Sequence, residues 1–196
     1  MMTRSSLALG IGRAGVTAVA LASIALPARG SLVMALTLDE LVWRADRVVV
    51  AEVLDVRSSW DERREQIRSR VDLRIVEAWK GGMPADYRIS VEETGGTVDG
   101  ITMRVIGAPR FVRGERSVLF LRGPAAAARV VGMAQGKRGL RQDAASGRWI
   151  AEAAAGVAAT VSPDPSGRLF PAPPDPARPL DELRAEVLRL SSQRAR

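Results

Sequence analysis

The chain has 196 residues, of which 46% are hydrophobic and 26% charged, with a formal net charge of +7. That is room for one domain with appendages, and at 4% aromatic residues its core must be aliphatic. Cysteine and histidine are both missing from it, which excludes disulfides, Ser-His-Asp and Cys-His catalysis, and zinc sites of the usual kinds.

Arg4 and Arg13 open a segment whose uncharged run, Ala14 to Leu26, is too short to span a bilayer comfortably and is followed by Pro27. Residues 1–30 therefore read as a secretory signal peptide, with small-residue cleavage sites after Gly30 and after Ala35; an uncleaved anchor is the competing reading. No later stretch is long and apolar enough to form a spanning helix, so the expected location is secreted or periplasmic. Arg4, Arg13 and Arg29 precede the first acid, Asp39, and without them the charge falls to +4. A solvated mixed-charge surface explains so mild an excess. Lipid head groups or an anionic polysaccharide are the polyanions an exported chain meets, rather than nucleic acid.

Thr37 and Glu40 form a capping box, and Leu38, Leu41, Val42 and Ala45 share one face, which predicts a short helix to about Ala45 with Trp43 nearby. Arg47 to Val56 is apolar on both parities, as a central strand requires. The polar connection from Ser58 to Gln66 carries Trp60 and a charge run, Asp61 to Glu65, whose ordinary role is a solvated hairpin end. Ile67, Ser69, Val71, Leu73 and Ile75 then alternate with Arg68, Arg70, Asp72 and Arg74, a half-buried strand with an arginine row outward. Tyr87 to Val91 gives a third strand. Gly95-Gly96 and Asp99-Gly100 frame a fourth over Ile101 to Val105, with Gly100 supplying a positive φ in the turn. Ser117 to Leu121 is a buried fifth, Val130 to Met133 and Arg148 to Ile150 are the last strands, and a polar hairpin around Gln142 to Gly147 separates them.

Ser162 to Pro179 holds seven prolines and no apolar period, and reads as an extended or disordered linker. Leu180, Leu183, Val187 and Leu190 then make a helical stripe that docks on the domain, self-associates or meets a partner. The expected organisation is a signal peptide at 1–30, a β-barrel domain at 36–155, a proline-rich linker at 156–179 and an amphipathic helix at 180–193. The fold class is mainly β: a small antiparallel, OB-like barrel with a short N-terminal helix and a C-terminal helix.

Few residues offer chemistry. Gly132 to Lys137 has the wrong spacing for a phosphate loop and reads as a strand-to-turn signal. Glu92, Glu93 and Asp99 lie near a glycine-rich turn and are the candidates for a cation site or an acid pair. Lys80 and Lys137 are the only lysines, and the sequence places no serine beside either. No cofactor or metal is implied.

Ala45-Asp46-x-Val48-Val49, Trp79-Lys80-Gly81, Gly95-Gly96-x-x-x-Gly100, Gly107-x-Pro109-x-Phe111-x-x-Gly114-Glu115-x-x-x-Leu119-Phe120-Leu121 and Val131-Gly132-x-x-Gln135-Gly136-Lys137 together resemble a group of uncharacterised exported bacterial proteins. The resemblance covers residues 38 to about 142 and implies export and a small β-barrel, similar to the OB fold or to netrin-like inhibitor domains; those inhibitors are disulfide-stapled, which this chain is not. It implies no activity. The leading expectation is a non-enzymatic binding module for a protein or an extended polymer. Trp60, Arg68, Arg70, Arg74, Arg110, Phe111 and Arg113 are its candidate anchors, because exposed aromatic and arginine side chains anchor interfaces most strongly. The alternatives are a hydrolase acting on polysaccharide through carboxylates alone, and a structural envelope protein.

Overall fold

The computed structural model describes residues 33–154 and 160–193. The expected signal peptide lies outside them. No helix among the described residues is long and apolar enough to cross a membrane.

The chain is mainly β, with two helices. In order it forms β1 (Val33–Met34), α1 (Leu38–Arg44), β2 (Arg47–Trp60), β3 (Ile67–Lys80), β4 (Arg88–Thr94), β5 (Gly96–Val98) and β6 (Ile101–Met103). Then follow β7 (Arg116–Arg122), β8 (Arg129–Val130), a 3-10 turn (Met133–Gly136), β9 (Lys137–Gln142), β10 (Trp149–Ala153), β11 (Thr160–Pro163), β12 (Leu169–Pro171), β13 (Arg178–Pro179) and α2 (Leu180–Gln193). The main sheet runs β13-β10-β9-β7-β2-β3-β4, all antiparallel, with β8 also paired to β7.

β2 is central, as its two apolar parities require. Val48 and Val50 join Trp79, Val118 and Phe120 on one face, where α1 (Leu41, Val42) and α2 (Leu183, Val187, Leu190) cover the sheet. Val49, Ala51 and Val53 join Leu73, Ile75, Val91 and Leu119 on the other, concave face. The capping box of α1 forms as expected, with Thr37 Oγ1 accepting from Glu40 N and Glu40 Oε2 accepting from Thr37 N. Trp43, beside the apolar face of α1, is more than half exposed.

The barrel expected from the sequence does not close; the sheet is open. β7 forks, giving Ser117–Leu119 to β9 and Leu121–Arg122 to β8. The two-residue β8 and the Pro124 turn before it leave too little strand for a ladder to β4. The edges meet at one parallel bridge, Val91 with Ala128. Three backbone bonds of 2.9 Å flank it, donated by Ser90 N to Ala125 O, Ala128 N to Ser90 O and Glu92 N to Ala128 O.

The proline-rich segment, expected as a loose linker, lies against the domain. β11 pairs with β1 and β12, and β13 with β10. Pro163, Pro171 and Pro179 each end a strand, where the missing N–H costs least. Asp175 forms an ion pair with the buried Arg138. α2 docks through its apolar stripe, so the linker is as much a strap as a spacer.

Candidate binding site

The sheet's concave face ends in a cavity of about 430 Å³. Its floor follows from a bulge. β2 and β3 shift register between Val53 and Asp55, so one residue of β2 goes unpaired and its alternation inverts. Val56 and Ser58 thereby return to the concave side opposite Val71 and Ser69, and all four line the cavity.

The two serines hold the roof. Ser69 Oγ donates to Gly95 O at 2.6 Å and lies 2.8 Å from Ser58 Oγ, which must then be the donor to Ser69. Gly95 N donates to Ile67 O at 2.7 Å. At Gly96, where φ is +136°, a Cβ would stand 2.3 Å from Ser58 Oγ and 2.5 Å from Ser69 Oγ, so only glycine fits. From there the β5–β6 hairpin passes over the floor as the roof and turns at Asp99 (φ 50°) and Gly100 (φ 78°), the left-handed pair of a two-residue hairpin. Thr97 and Thr102 face each other across it, with hydroxyls 2.9 Å apart, and both line the cavity.

The remaining wall is the loop from Arg104 to Val112. Gly107 O accepts from Ala134 N and Gly114 N donates to Val53 O, each at 2.8 Å. Lys137, only 4% exposed, pins it further. Its ammonium lies 2.6 Å from Glu115 Oε1 and 4.8 Å from the Phe111 ring centre, and also donates to Arg110 O. Glu115 accepts in addition from Ser117 Oγ and Val112 N, both at 3.2 Å. A buried ammonium is tolerated only when so fully paired.

Glu93 is the acid in the lining. It sits where the β4 edge approaches β8, with its carboxylate turned toward the Val130 backbone amide. Burial pushes its pKa up to about 7, opposed in part by that amide and by the Arg129 guanidinium. Glu92 stands opposite Arg70 on the next parity and Asp99 is exposed at the hairpin turn. The lining thus holds one acid and no acid pair. Among the described residues no group of three acids stands close enough to hold a metal ion.

Of the seven anchors expected from the sequence, Arg110 and Phe111 line the cavity. Trp60 is half-buried at the end of β2 opposite Ile67, and Arg113 lies in the exposed turn before β7. Arg68, Arg70 and Arg74 are on the convex face. There Arg70 pairs with Asp72 at 3.4 Å, and Arg74 with Glu52 at 2.7 Å and Asp86 at 2.8 Å, while Arg57 and Arg116 join the same network. Arg68 is exposed and forms no ion pair among the described residues. Ser58, Thr102 and Arg104 belong to the site but were not singled out, and Lys137 was weighed only for a phosphate loop or a serine pair. The one sequence signal here was Ser69's place on the inward parity of β3; Ser58 and Gly96 are brought to it only by the fold.

The glycine-lysine motif is structural. Gly132 is left-handed (φ 63°), and a Cβ on Gly136 would stand 2.2 Å from Val131 O. Lys80 donates to Val42 O and Ala45 O at 2.7 Å, tying α1 to β3. No protein-family model and no curated protein matches this chain.

Proposed function

We propose that this chain is an exported, non-enzymatic binding module that takes a segment of a protein or an extended polymer into the cavity beneath the β5–β6 hairpin. The single observation carrying the reading is the cavity itself: a roofed recess of about 430 Å³ whose lining mixes Val56, Val71 and Phe111 with Thr97, Thr102, Arg104 and Arg110. Such a mixture suits a ligand with both apolar and polar faces. The lone acid there argues against a hydrolase built on carboxylates, which needs two on the same bond. In this reading the curled sheet is an OB-like relative left open on one side, residues 1–30 are a signal peptide, and the molecule works outside the cytoplasm.

Photo-crosslinking tests it. A photoreactive side chain at Thr102 or Arg104, in the native envelope and culture fluid, gives one dominant adduct, and the same group at Arg70 on the convex face gives none. Adducts from Arg70 alone, or from no position, end the reading.

A further inference from the structure

The loop that walls the cavity carries a second feature, on its solvent side. Ile106 and Val112 are each 67% exposed and Ile101 is 55% exposed, although a chain this rich in aliphatic residues has core positions for such side chains. They are not loose. The loop is fastened at Gly107, Gly114 and the Lys137–Glu115 pair, so the fold presents these aliphatic tips outward and holds them there. Exposed apolar groups that a rigid frame keeps out of the core mark a docking surface.

Charge identifies what docks. From Gly100 to Gly114 the sequence has three arginines, Arg104, Arg110 and Arg113, and no acid. On the convex face Arg57, Arg70, Arg74 and Arg116 are neutralised by Asp55, Asp72, Glu52 and Asp86. The loop arginines make no ion pair among the described residues. Aliphatic tips interspersed with unpaired arginines complement one kind of surface: hydrocarbon lying just below a layer of anionic head groups.

We propose that the loop from Arg104 to Arg113, with Ile101 beside it, docks the protein on an anionic lipid surface, the aliphatic tips entering the acyl boundary and the arginines meeting head-group phosphates. This goes beyond the cavity reading and does not rest on it, because Ile101 and Ile106 are not part of the recess lining, Val112 is two-thirds exposed at its rim, and the test contains lipid alone.

The chain has no cysteine, so Ile106→Cys and Val112→Cys each carry an environment-sensitive dye at one chosen place. Dye on the full chain shifts to the blue and is shielded from an aqueous quencher on vesicles containing phosphatidylglycerol, but not on pure phosphatidylcholine vesicles. Dye at Glu182→Cys, on α2 across the sheet from the loop, responds to neither. The triple change Arg104→Gln, Arg110→Gln, Arg113→Gln weakens the dye response about a hundredfold in lipid concentration, from about fivefold per arginine. Arg57→Gln with Arg70→Gln leaves it unchanged. The proposal is overturned if both loop dyes stay silent, whether or not the chain sediments with vesicles. It is equally overturned if neutral vesicles give the same shift, or if the arginine triple is without effect.

Discussion

The Lys137 ammonium lies 2.6 Å from the Glu115 carboxylate, and through this pair, with the lysine's bond to Arg110 O, β9 holds the loop that walls the cavity. A buried pair of this kind adds little over an apolar substitute but is costly to break from one side, because the surviving charge is left in a poor solvent. Lys137→Met strands Glu115 and frees Arg110 O. It is expected to lower the unfolding free energy by about 3 kcal/mol and to raise amide exchange from Arg104 to Val112. Urea titration and hydrogen exchange measure both. Exchange confined to other segments would show that the pair does not hold the loop.

A second prediction concerns Gly96. Gly96→Ala places a Cβ against both serine hydroxyls and forces an alanine to a φ of +136°. The expected loss is about 2–3 kcal/mol, with the hairpin lifted from Ser58 and Ser69. At Gly100 a Cβ meets nothing within 4 Å. Gly100→Asn keeps a residue that accepts positive φ and costs less than about 1 kcal/mol. If the two substitutions destabilise equally in thermal unfolding, the serine contacts are not what demands glycine.

These contacts also mark where the sequence stops being readable. The helix at Thr37, the double-faced β2, the alternation of β3, the Asp99-Gly100 turn and the stripe of α2 are all set by neighbours in the chain, and all were legible. β9 was not, because its first residues, Lys137 and Arg138, are charged and buried, inverting the pattern that announces a strand. The bulge between Val53 and Asp55 leaves no mark in an apolar run, yet it puts Ser58 in the cavity. The arginine row of β3 was legible as a row. Its neutralisation was not, because Glu52, Asp55 and Asp86 arrive from β2 and from the turn before β4. That the extended proline-rich segment is tied down was not legible for a similar reason: what fixes it, Asp175 against Arg138 and β13 against β10, is distant in sequence.

The strap leads to a third prediction. α2 buries Leu183 and Val187 completely against the helix-covered face. Leu183→Ala removes a core side chain and is expected to cost about 3 kcal/mol. A chain stopped at Ala159 should fail to fold cooperatively. If that short chain melts in one transition near the parent's temperature, α2 is an ornament and the strap is a linker after all.

The fourth prediction follows from Glu93, whose carboxyl is pushed up to about 7 from an ordinary 4.5. Its folded pKa lies above the unfolded one, so between those values the folded state holds more protons. The stability that Glu93 contributes is therefore whole below about pH 4.5 and is lost as pH rises through about 7. The size is on the order of 2 kcal/mol after discounting for partial exposure. Asp72, held low by the Ser90 hydroxyl and its arginine partners, has the opposite sign. Its contribution is present above the usual aspartate pKa and disappears as pH falls below it, so the two windows barely overlap. Glu93→Gln keeps an acceptor facing Val130 N and cannot ionise. Subtracting its stability curve from the parent's should leave a single step between pH 4.5 and 7, downward toward high pH. A flat difference would mean that Glu93 is better solvated than its place beside β8 implies, and would restore it as an ordinary surface acid of the cavity mouth.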